Sequence, residues 1–233
     1  MISADRSKLF LFDIDGTLLS ARGVPKRVMG RVLANRFPDI RYDHNYDFSG
    51  RTDPEIIEYL LHYDQHDADE ELIKSILDEF VAELELELSR NHKPVLLQGV
   101  EEILSNLSAL ENACLGLVTG NIARGAHIKL KSVGLHTLFP VGGYGDDSKF
   151  RSDLPPVAIS RAEGHYNTRF LKEDIWIIGD SIYDIACAKE NNLRCLAVAS
   201  GLTGYEKLAA AKPEFLEQDM TNVDNILNIL LNG

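Results

Sequence analysis

The sequence predicts an α/β protein in which a doubly wound parallel sheet is interrupted by one all-helical insert. Short apolar runs of the kind that form buried parallel strands recur along the chain. After residue 93 these runs alternate with segments of helical periodicity, which indicates a parallel sheet covered by helices on both faces. Residues 21–92 show helical patterns only. We therefore predict a core domain of residues 1–20 and 93–233, with a helical cap domain at 21–92.

The first apolar run, residues 8–12, is predicted to be a buried strand. The insert that follows is predicted to contain three helices. The first covers residues 25–37 and the third covers residues 72–88, each with apolar side chains at helical spacing. The second begins at Asp53-Pro54, where we expect Asp53 to cap the helix and Pro54 to occupy its first position.

The remainder of the chain alternates between short apolar runs and segments of helical periodicity. The predicted strands are 114–118, 139–144, 175–178 and 195–199. The predicted helices are 100–110, 124–133, 155–163, 181–190, 204–211 and 222–231. This order of elements predicts that the core strands lie parallel to one another.

Composition restricts the class of function. The chain has 233 residues, of which 45% are hydrophobic and 26% charged, so folding can bury a real core. Its net charge of −12 without a basic cluster argues against nucleic-acid binding, but a bound divalent cation would still allow small phosphates. Three cysteines without Cys-x-x-Cys spacing predict no disulfide framework, and no apolar run reaches membrane-spanning length. We expect a soluble cytoplasmic protein, and its oligomeric state is left open.

Polar residues follow four of the predicted core strands, at the points where those strands lead into loops. Asp-Ile-Asp-Gly-Thr occupies 13–17, Thr-Gly-Asn occupies 119–121, and Gly-Asp-Ser occupies 179–181. The loop after the predicted strand 139–144 contains Lys149 and Arg151. Because ligands bind at the carboxyl ends of strands in an open parallel sheet, we expect these groups to converge on one site.

The converging groups suit phosphoryl transfer. A carboxylate such as Asp13 can attack phosphorus and form an aspartyl-phosphate. Mg²⁺ held by Asp13 and Asp180 can bring the two like-charged groups together. Asp15 can protonate the leaving oxygen and later activate water, while the Thr119 hydroxyl can bind a phosphoryl oxygen.

Three segments carry a family resemblance. Asp-x-Asp-Gly-Thr-Leu at 13–18, Thr-Gly-Asn at 119–121 and Gly-Asp-x-x-x-Asp at 179–184 resemble the first, second and fourth motifs of the haloacid dehalogenase superfamily. The helical insert resembles the C1 cap of its phosphoglycolate-phosphatase-like branch. The resemblance implies a Rossmann-like core with an inserted cap.

The resemblance also implies roles for individual residues. Asp13 matches the nucleophile and Asp15 matches the general acid/base, whose backbone carbonyl is also a metal ligand. Thr119 matches the phosphate-binding hydroxyl. Asp180 matches the metal-binding acid, and Asp184 matches the acid that supports the metal's water shell. The implied cofactor is Mg²⁺.

The third motif of the superfamily, a lysine or arginine beside the nucleophile, is less clear. Arg151 is the better candidate because it stands just before a proline-led helix, and Lys149 is the alternative. In the cap, Arg51 and Thr52 are expected either to reach the substrate or to form an ordinary turn before a helix. Asn121, next to Gly120, is expected to line the phosphate pocket, with helix capping as its alternative role.

The predicted function is Mg²⁺-dependent hydrolysis of a small phosphorylated metabolite, with Gly120, Asn121, Arg51, Thr52 and Lys149 in substrate binding. Asp15 disfavours a dehalogenase or a phosphonatase, since those branches depart from the motif at this position. A phosphosugar mutase keeps Asp15 and remains an alternative. A catalytically inactive phosphate-binding regulator is the alternative from another class. The leaving group is not predicted.

Overall fold

The computed structural model describes residues 6–41, 43, 45–90 and 93–233. In chain order its strands are β1 (Lys8–Phe12), β2 (Leu19–Ser20), β3 (Val95–Leu96), β4 (Ala113–Val118), β5 (Gly142–Gly143), β6 (Ile175–Gly179), β7 (Arg194–Val198) and β8 (Phe215–Glu217). Its helices are α1 (Val24–Arg36), α2 (Asp53–Tyr63), α3 (Glu70–Arg90), α4 (Val100–Ser108), α5 (Ala123–Ser132), α6 (Leu154–Tyr166), α7 (Ile182–Asn191), α8 (Tyr205–Ala210) and α9 (Val223–Asn232).

The core is a six-stranded sheet in the order β5-β4-β1-β6-β7-β8, and all its neighbouring strands are parallel. Successive side chains of β1 point to opposite faces. Phe10 and Phe12 belong to an apolar cluster with α4 and α9, while Leu9 and Leu11 belong to another with α6 and α7. Burial on both faces explains why the strands read as continuous apolar runs, and the predicted fold class is confirmed.

Helices α1, α2 and α3 pack around a separate apolar cluster that includes Met29, Leu33 and Phe80. This cluster also contains Ile122, the residue just before α5, so the cap rests directly on the core. The chain enters and leaves the cap through a two-stranded ribbon in which β2 and β3 pair antiparallel. The three cap helices therefore form an insert between two adjacent points of the core.

Two predicted elements differ from the structure. The strand predicted at 139–144 is shortened to β5, since only Gly142 and Gly143 pair with β4 and residues 139–141 belong to no strand or helix. Asp53 is not the cap of α2: the Thr52 side chain accepts the hydrogen bond from Glu55 N at 3.3 Å. The short strands β2, β3 and β8 were not predicted, since two or three residues carry no readable period.

The described helices include none that is long and apolar enough to cross a membrane. Cys114, Cys187 and Cys195 are buried free thiols. Burial raises the pKa of Cys114 to about 11 and, against the opposing charge of Arg151, that of Cys187 to about 12. At neutral pH these thiols behave as small apolar side chains.

We predict that Gly99→Ala destabilises the fold by about 1–3 kcal/mol. Gly99 precedes α4 at φ +81, and an added Cβ would lie 1.9 Å from the carbonyl oxygen of Met220. The matched control is Gly164→Ala in α6, where an added Cβ meets nothing within 4 Å. The control should be stabilised by up to about 1 kcal/mol through helix propensity. Denaturant unfolding measures both, and equal stability of the two variants would contradict the prediction.

Candidate active site

The strand ends meet in a cavity of about 740 Å³ between the core and the cap. Asp13 follows β1, Thr119 follows β4 and Asp180 follows β6. These three strands are neighbours in the sheet, so their carboxyl ends lie side by side. All three side chains are buried in the cavity wall.

Three carboxylates lie together here, two of them in the cavity wall (Asp13 and Asp180) and the fully buried Asp184 beside them. Asp13, Asp180 and Asp184 each place an oxygen within 4.8 Å of the others, and all three are buried. Burial raises the pKa of Asp13 to about 6, with Asp184 and Asp15 adding to the rise and Arg151 opposing it. Burial, followed by the charges of Asp13 and Asp184, raises the pKa of Asp180 well above its ordinary value. The cluster therefore favours binding of positive charge.

Arg151 is the cation that contacts this cluster. It begins the short 3-10 turn Arg151–Asp153 that leads into α6. Its Nη2 forms ion pairs with Asp184 Oδ1 and, at 3.3 Å, with Asp13 Oδ2. Burial alone would lower the pKa of Arg151, but the carboxylates of Asp184 and Asp13 raise it above its ordinary value. The guanidinium is thus a fixed positive charge beside Asp13.

The charges of the cluster fit a divalent cation. Three carboxylates and one guanidinium leave two negative charges when all are ionised. Carboxylate oxygens are the ligands that Mg²⁺ prefers, and Asp13 and Asp180 offer them on neighbouring strands. Thr17 Oγ1 donates to Asp180 Oδ1 at 3.1 Å and helps to orient it. Asp184 is held by the backbone N–H and hydroxyl of Ser181, which suits it to a supporting position.

The backbone also approaches Asp180 closely. A Cβ added at Gly201 would lie 1.7 Å from Asp180 Oδ2, so only glycine leaves room for this carboxylate. Gly201 and Asp180 both line the cavity. The loop after β7 therefore shapes the cluster without contributing a charged side chain.

A second polar group lies across the cavity around Asp15. Asn121 Nδ2 donates to Asp15 Oδ2 at 2.9 Å and to Thr119 Oγ1 at 2.8 Å. Lys129 Nζ, from α5, lies 2.5 Å from both Asp15 Oδ2 and Asn121 Oδ1. Asn121 lines the cavity and does not cap α5, whose N-cap is Ile122 without a side-chain bond.

The sequence did not lead us to predict Lys129 as a residue of the site. Its signal was a lysine in the apolar stripe of a helix, between Ala126 and Leu130, which are both buried. A charged residue at a core position calls for a buried partner. The partner, Asp15, is distant in sequence, and helical periodicity alone does not identify it.

The cap loop before α2 is fixed to the core through Asp53. Its backbone N–H donates to Gly120 O at 2.8 Å, and its Oδ2 accepts from Ile122 N at 2.9 Å. Arg151 Nη1 donates to Gly50 O at 3.1 Å in the same loop. The cation beside Asp13 therefore also holds the cap.

Thr52 and Lys149 lie outside the lining of the cavity. The Thr52 side chain is fully buried, and its hydroxyl donates to Lys149 O at 2.8 Å. Lys149 Nζ forms an ion pair with Glu58 of the cap at 2.9 Å. Neither side chain is in the cavity wall, because both are engaged where cap and core meet. Their part in substrate binding stays a prediction, which these contacts do not support.

Arg51, in contrast, lines the cavity. Its guanidinium lies 4.9 Å from the ring centroids of both Tyr46 and Tyr183. It also forms an ion pair with Glu55, one turn into α2. Arg51 is therefore a restrained cation in the cavity wall, with Glu55 as its ion-pair partner.

Comparison with known proteins agrees with this geometry. The family model described as haloacid dehalogenase-like hydrolase matches residues 10–198. A relative named Pyrophosphatase PpaX, from Listeria monocytogenes, is 27% identical over 215 residues, which cover 91% of this chain and 93% of the relative. These two matches extend over both the core and the cap.

Solved structures share the fold. A predicted phosphoglycolate phosphatase from Haemophilus somnus has a TM-score of 0.69 at 19% identity, covering 96% of this chain and 99% of that one. A protein provisionally assigned as a beta-phosphoglucomutase, from Bacteroides vulgatus, has a TM-score of 0.71 at 19% identity, covering 98% and 90%. At these identities the likeness establishes the fold alone.

We predict that Asp53→Asn changes stability in a pH-dependent way. Burial raises the pKa of Asp53 from 3.8 to about 6, against the opposing effects of Lys129 and Ile122 N–H. The folded protein thus holds this proton more tightly than the unfolded chain. The resulting stability is complete below pH 3.8 and is lost as pH rises through about 6.

The variant has no such proton to lose, and its amide oxygen can still accept from Ile122 N. Its unfolding free energy relative to wild type should therefore rise by about 1 kcal/mol between about pH 5 and about pH 7.5. Urea unfolding at both pH values measures this change. If the difference in unfolding free energy between variant and wild type stayed constant, or fell as pH rises, the raised pKa assigned to Asp53 would be refuted.

Proposed function

The chain belongs to the haloacid dehalogenase-like hydrolases, and from this premise we propose that it is a Mg²⁺-dependent phosphatase of small phosphomonoesters. The observation that carries the proposal is the placement of Asp13. Its carboxylate lies in the cavity wall beside Arg151 and Asp180, and Asp15 lines the same cavity. A nucleophile, a cation and a metal-ligating acid at adjoining strand ends are the parts that phosphoryl transfer needs.

In the first step Asp13 attacks the phosphorus of the substrate. A bond forms between its carboxylate oxygen and phosphorus, while the bond from phosphorus to the leaving oxygen breaks. Asp15 gives a proton to that oxygen, so the leaving group departs as a neutral alcohol. Arg151 and the Thr119 hydroxyl stabilise the charge on the phosphoryl oxygens. Mg²⁺, when bound by Asp13 and Asp180, supplies further positive charge for this step.

In the second step water hydrolyses the aspartyl-phosphate on Asp13. Asp15 now takes a proton from the water, whose oxygen bonds to phosphorus as the bond to Asp13 breaks. Inorganic phosphate leaves, and both carboxyl groups return to their starting states. The cap over the cavity limits competing water during the first step.

A second candidate substrate is inorganic pyrophosphate. It is favoured by the relative from Listeria monocytogenes, which is named a pyrophosphatase and matches 91% of this chain. Pyrophosphate would present the same phosphoryl end to Asp13, with a phosphate as the leaving group. The restrained guanidinium of Arg51 in the cavity wall suits a leaving group that carries negative charge. A phosphosugar mutase remains the alternative that uses the same first step.

We expect Mg²⁺-dependent release of inorganic phosphate from 4-nitrophenyl phosphate, and from at least one member of a panel of phosphoglycolate, sugar phosphates and pyrophosphate. Asp13→Asn should lower turnover by about 10³-fold or more, because the amide is a poor nucleophile. Asp78→Asn, at an exposed acid of α3, is the control and should remain near wild type.

Activity of Asp13→Asn near wild type would exclude Asp13 as the nucleophile. Conversion of a sugar phosphate to its isomer without release of phosphate would favour the mutase. Absence of metal-dependent turnover on the entire panel would favour a non-catalytic phosphate-binding protein.

We further predict that Arg151→Ala lowers kcat/KM by about 10²-fold or more, since it removes a buried charge beside the reacting phosphoryl group. Lys149→Ala should cost about threefold or less, because its ion pair with Glu58 is half-exposed and outside the cavity. Circular dichroism checks that both variants fold, and Arg151→Lys tests whether charge alone suffices. A larger loss in Lys149→Ala would reassign the third motif.

A further inference from the structure

Lys129 is a charged residue in an apolar setting. Its side chain in α5 is 2% exposed, and it ranks among the largest fully buried side chains of the described residues. A buried ammonium group is costly unless it is paired and hydrogen-bonded. Here Nζ lies 2.5 Å from Asp15 Oδ2 and 2.5 Å from Asn121 Oδ1. Both partners face the cavity, which connects this lysine to the active site.

The two oxygens of Asp15 have different surroundings. Oδ2 accepts from Lys129 Nζ and from Asn121 Nδ2, at 2.5 and 2.9 Å. Across the described ranges of the chain, no hydrogen bond is made to Oδ1. A carboxylate oxygen has about two lone-pair sites, and two N–H donors occupy both of those on Oδ2. A proton carried by Asp15 must therefore reside on Oδ1.

We propose that Lys129 is a positioning residue for proton transfer, which, together with Asn121, reserves Oδ1 of Asp15 for the proton that passes to the leaving group. The inference rests on the proposed function, in which Asp15 is the acid of the first step. Lys129 also lines the cavity, but its side chain is almost fully buried and its ammonium group is engaged by Asp15 and Asn121, so we assign it to positioning Asp15. Its contribution comes from fixing the carboxyl group of a side chain that is 38% exposed.

Asn121 needs Lys129 for the same purpose. Its amide oxygen is turned towards Nζ, and this orientation places Nδ2 on Asp15 Oδ2. Without the lysine the amide keeps its bond to the Thr119 hydroxyl, but a hydroxyl can accept from Nδ2 or donate to Oδ1 and so does not fix which of the two faces Asp15. Lys129 and Asn121 therefore hold the Asp15 carboxyl group together. Helix α5 supplies the ammonium group, and the segment after β4 supplies the amide N–H as the second donor.

The test compares two substrates of nearly equal shape, phenyl phosphate and 4-nitrophenyl phosphate. Phenolate is the more basic leaving group and depends more on protonation by Asp15. In Lys129→Met we expect kcat/KM to fall about tenfold more for phenyl phosphate than for 4-nitrophenyl phosphate. The parameter kcat/KM covers the steps up to departure of the leaving group, so slow hydrolysis of the aspartyl-phosphate does not obscure it. Lys131→Met, at an exposed position of the same helix, should leave both values unchanged.

A double variant separates positioning from general support of the fold. When Lys129→Met is added to Asp15→Asn, kcat/KM should fall by less than about threefold, since the group being positioned is already absent. Equal losses on both phosphates in Lys129→Met would overturn the inference. The inference would also be overturned if Lys129→Met lowered kcat/KM in the Asp15→Asn background as much as it does in the wild-type protein. If Lys129→Met does not fold, Lys129→Gln is the second variant, and the same leaving-group dependence is expected.

Failure of the proposed function has a different signature. In that case the wild-type protein with Mg²⁺ turns over neither phosphate, and the inference falls with it. If the wild-type enzyme is active on both phosphates and Lys129→Met loses activity equally on the two, the proposed function stands and only the role of Lys129 is overturned.

Discussion

Burial of like charges is the constraint on which the rest of the structure depends. Asp13, Asp180 and Asp184 place carboxylates within 4.8 Å of one another, and the Arg151 guanidinium offsets part of their charge. Such a cluster is unfavourable without additional positive charge. The apolar strands that hold it must therefore be rigid, which explains why they are buried on both faces. The stability of the core and the ability to bind a cation arise from the same sheet.

The cap shares this constraint because it is attached where the charges lie. Arg151 contacts Asp13 with one nitrogen and donates to Gly50 of the cap with another. Asp53 of the cap hydrogen-bonds the loop that carries Gly120. A displacement of the cap would thus break contacts of the site itself. Opening of the cavity and rearrangement of the charged groups are coupled through these bonds.

The sequence predicted those parts of the site that depend on strand order. Asp13, Thr119 and Asp180 each follow an apolar run, and parallel strands bring their ends together. The choice of Arg151 over Lys149 rested on a neighbouring helix, and the structure places Arg151 beside Asp13. The catalytic roles of these residues stay predictions.

The remaining features depend on contacts between distant parts of the chain. Thr52 reads as a loop residue, but its hydroxyl is buried where the cap meets the core. Lys129 reads as a solvated lysine of a helix until Asp15, far away in sequence, is placed beside it. The strand β8 is short and only half-buried, so it carries no apolar run. Local patterns contain no information on which residue will be the partner.

The ribbon of β2 and β3 has a consequence for how such proteins diversify. Ser20, where the chain leaves the core, pairs with Val95, where it returns. The ends of the insert are therefore adjacent, and the register of the six core strands does not depend on what lies between them. A cap of different size could be exchanged at this point while Asp13, Thr119 and Asp180 stay at the ends of their strands. The cap and the strand ends, which together enclose the cavity, can thus vary on separate parts of one polypeptide.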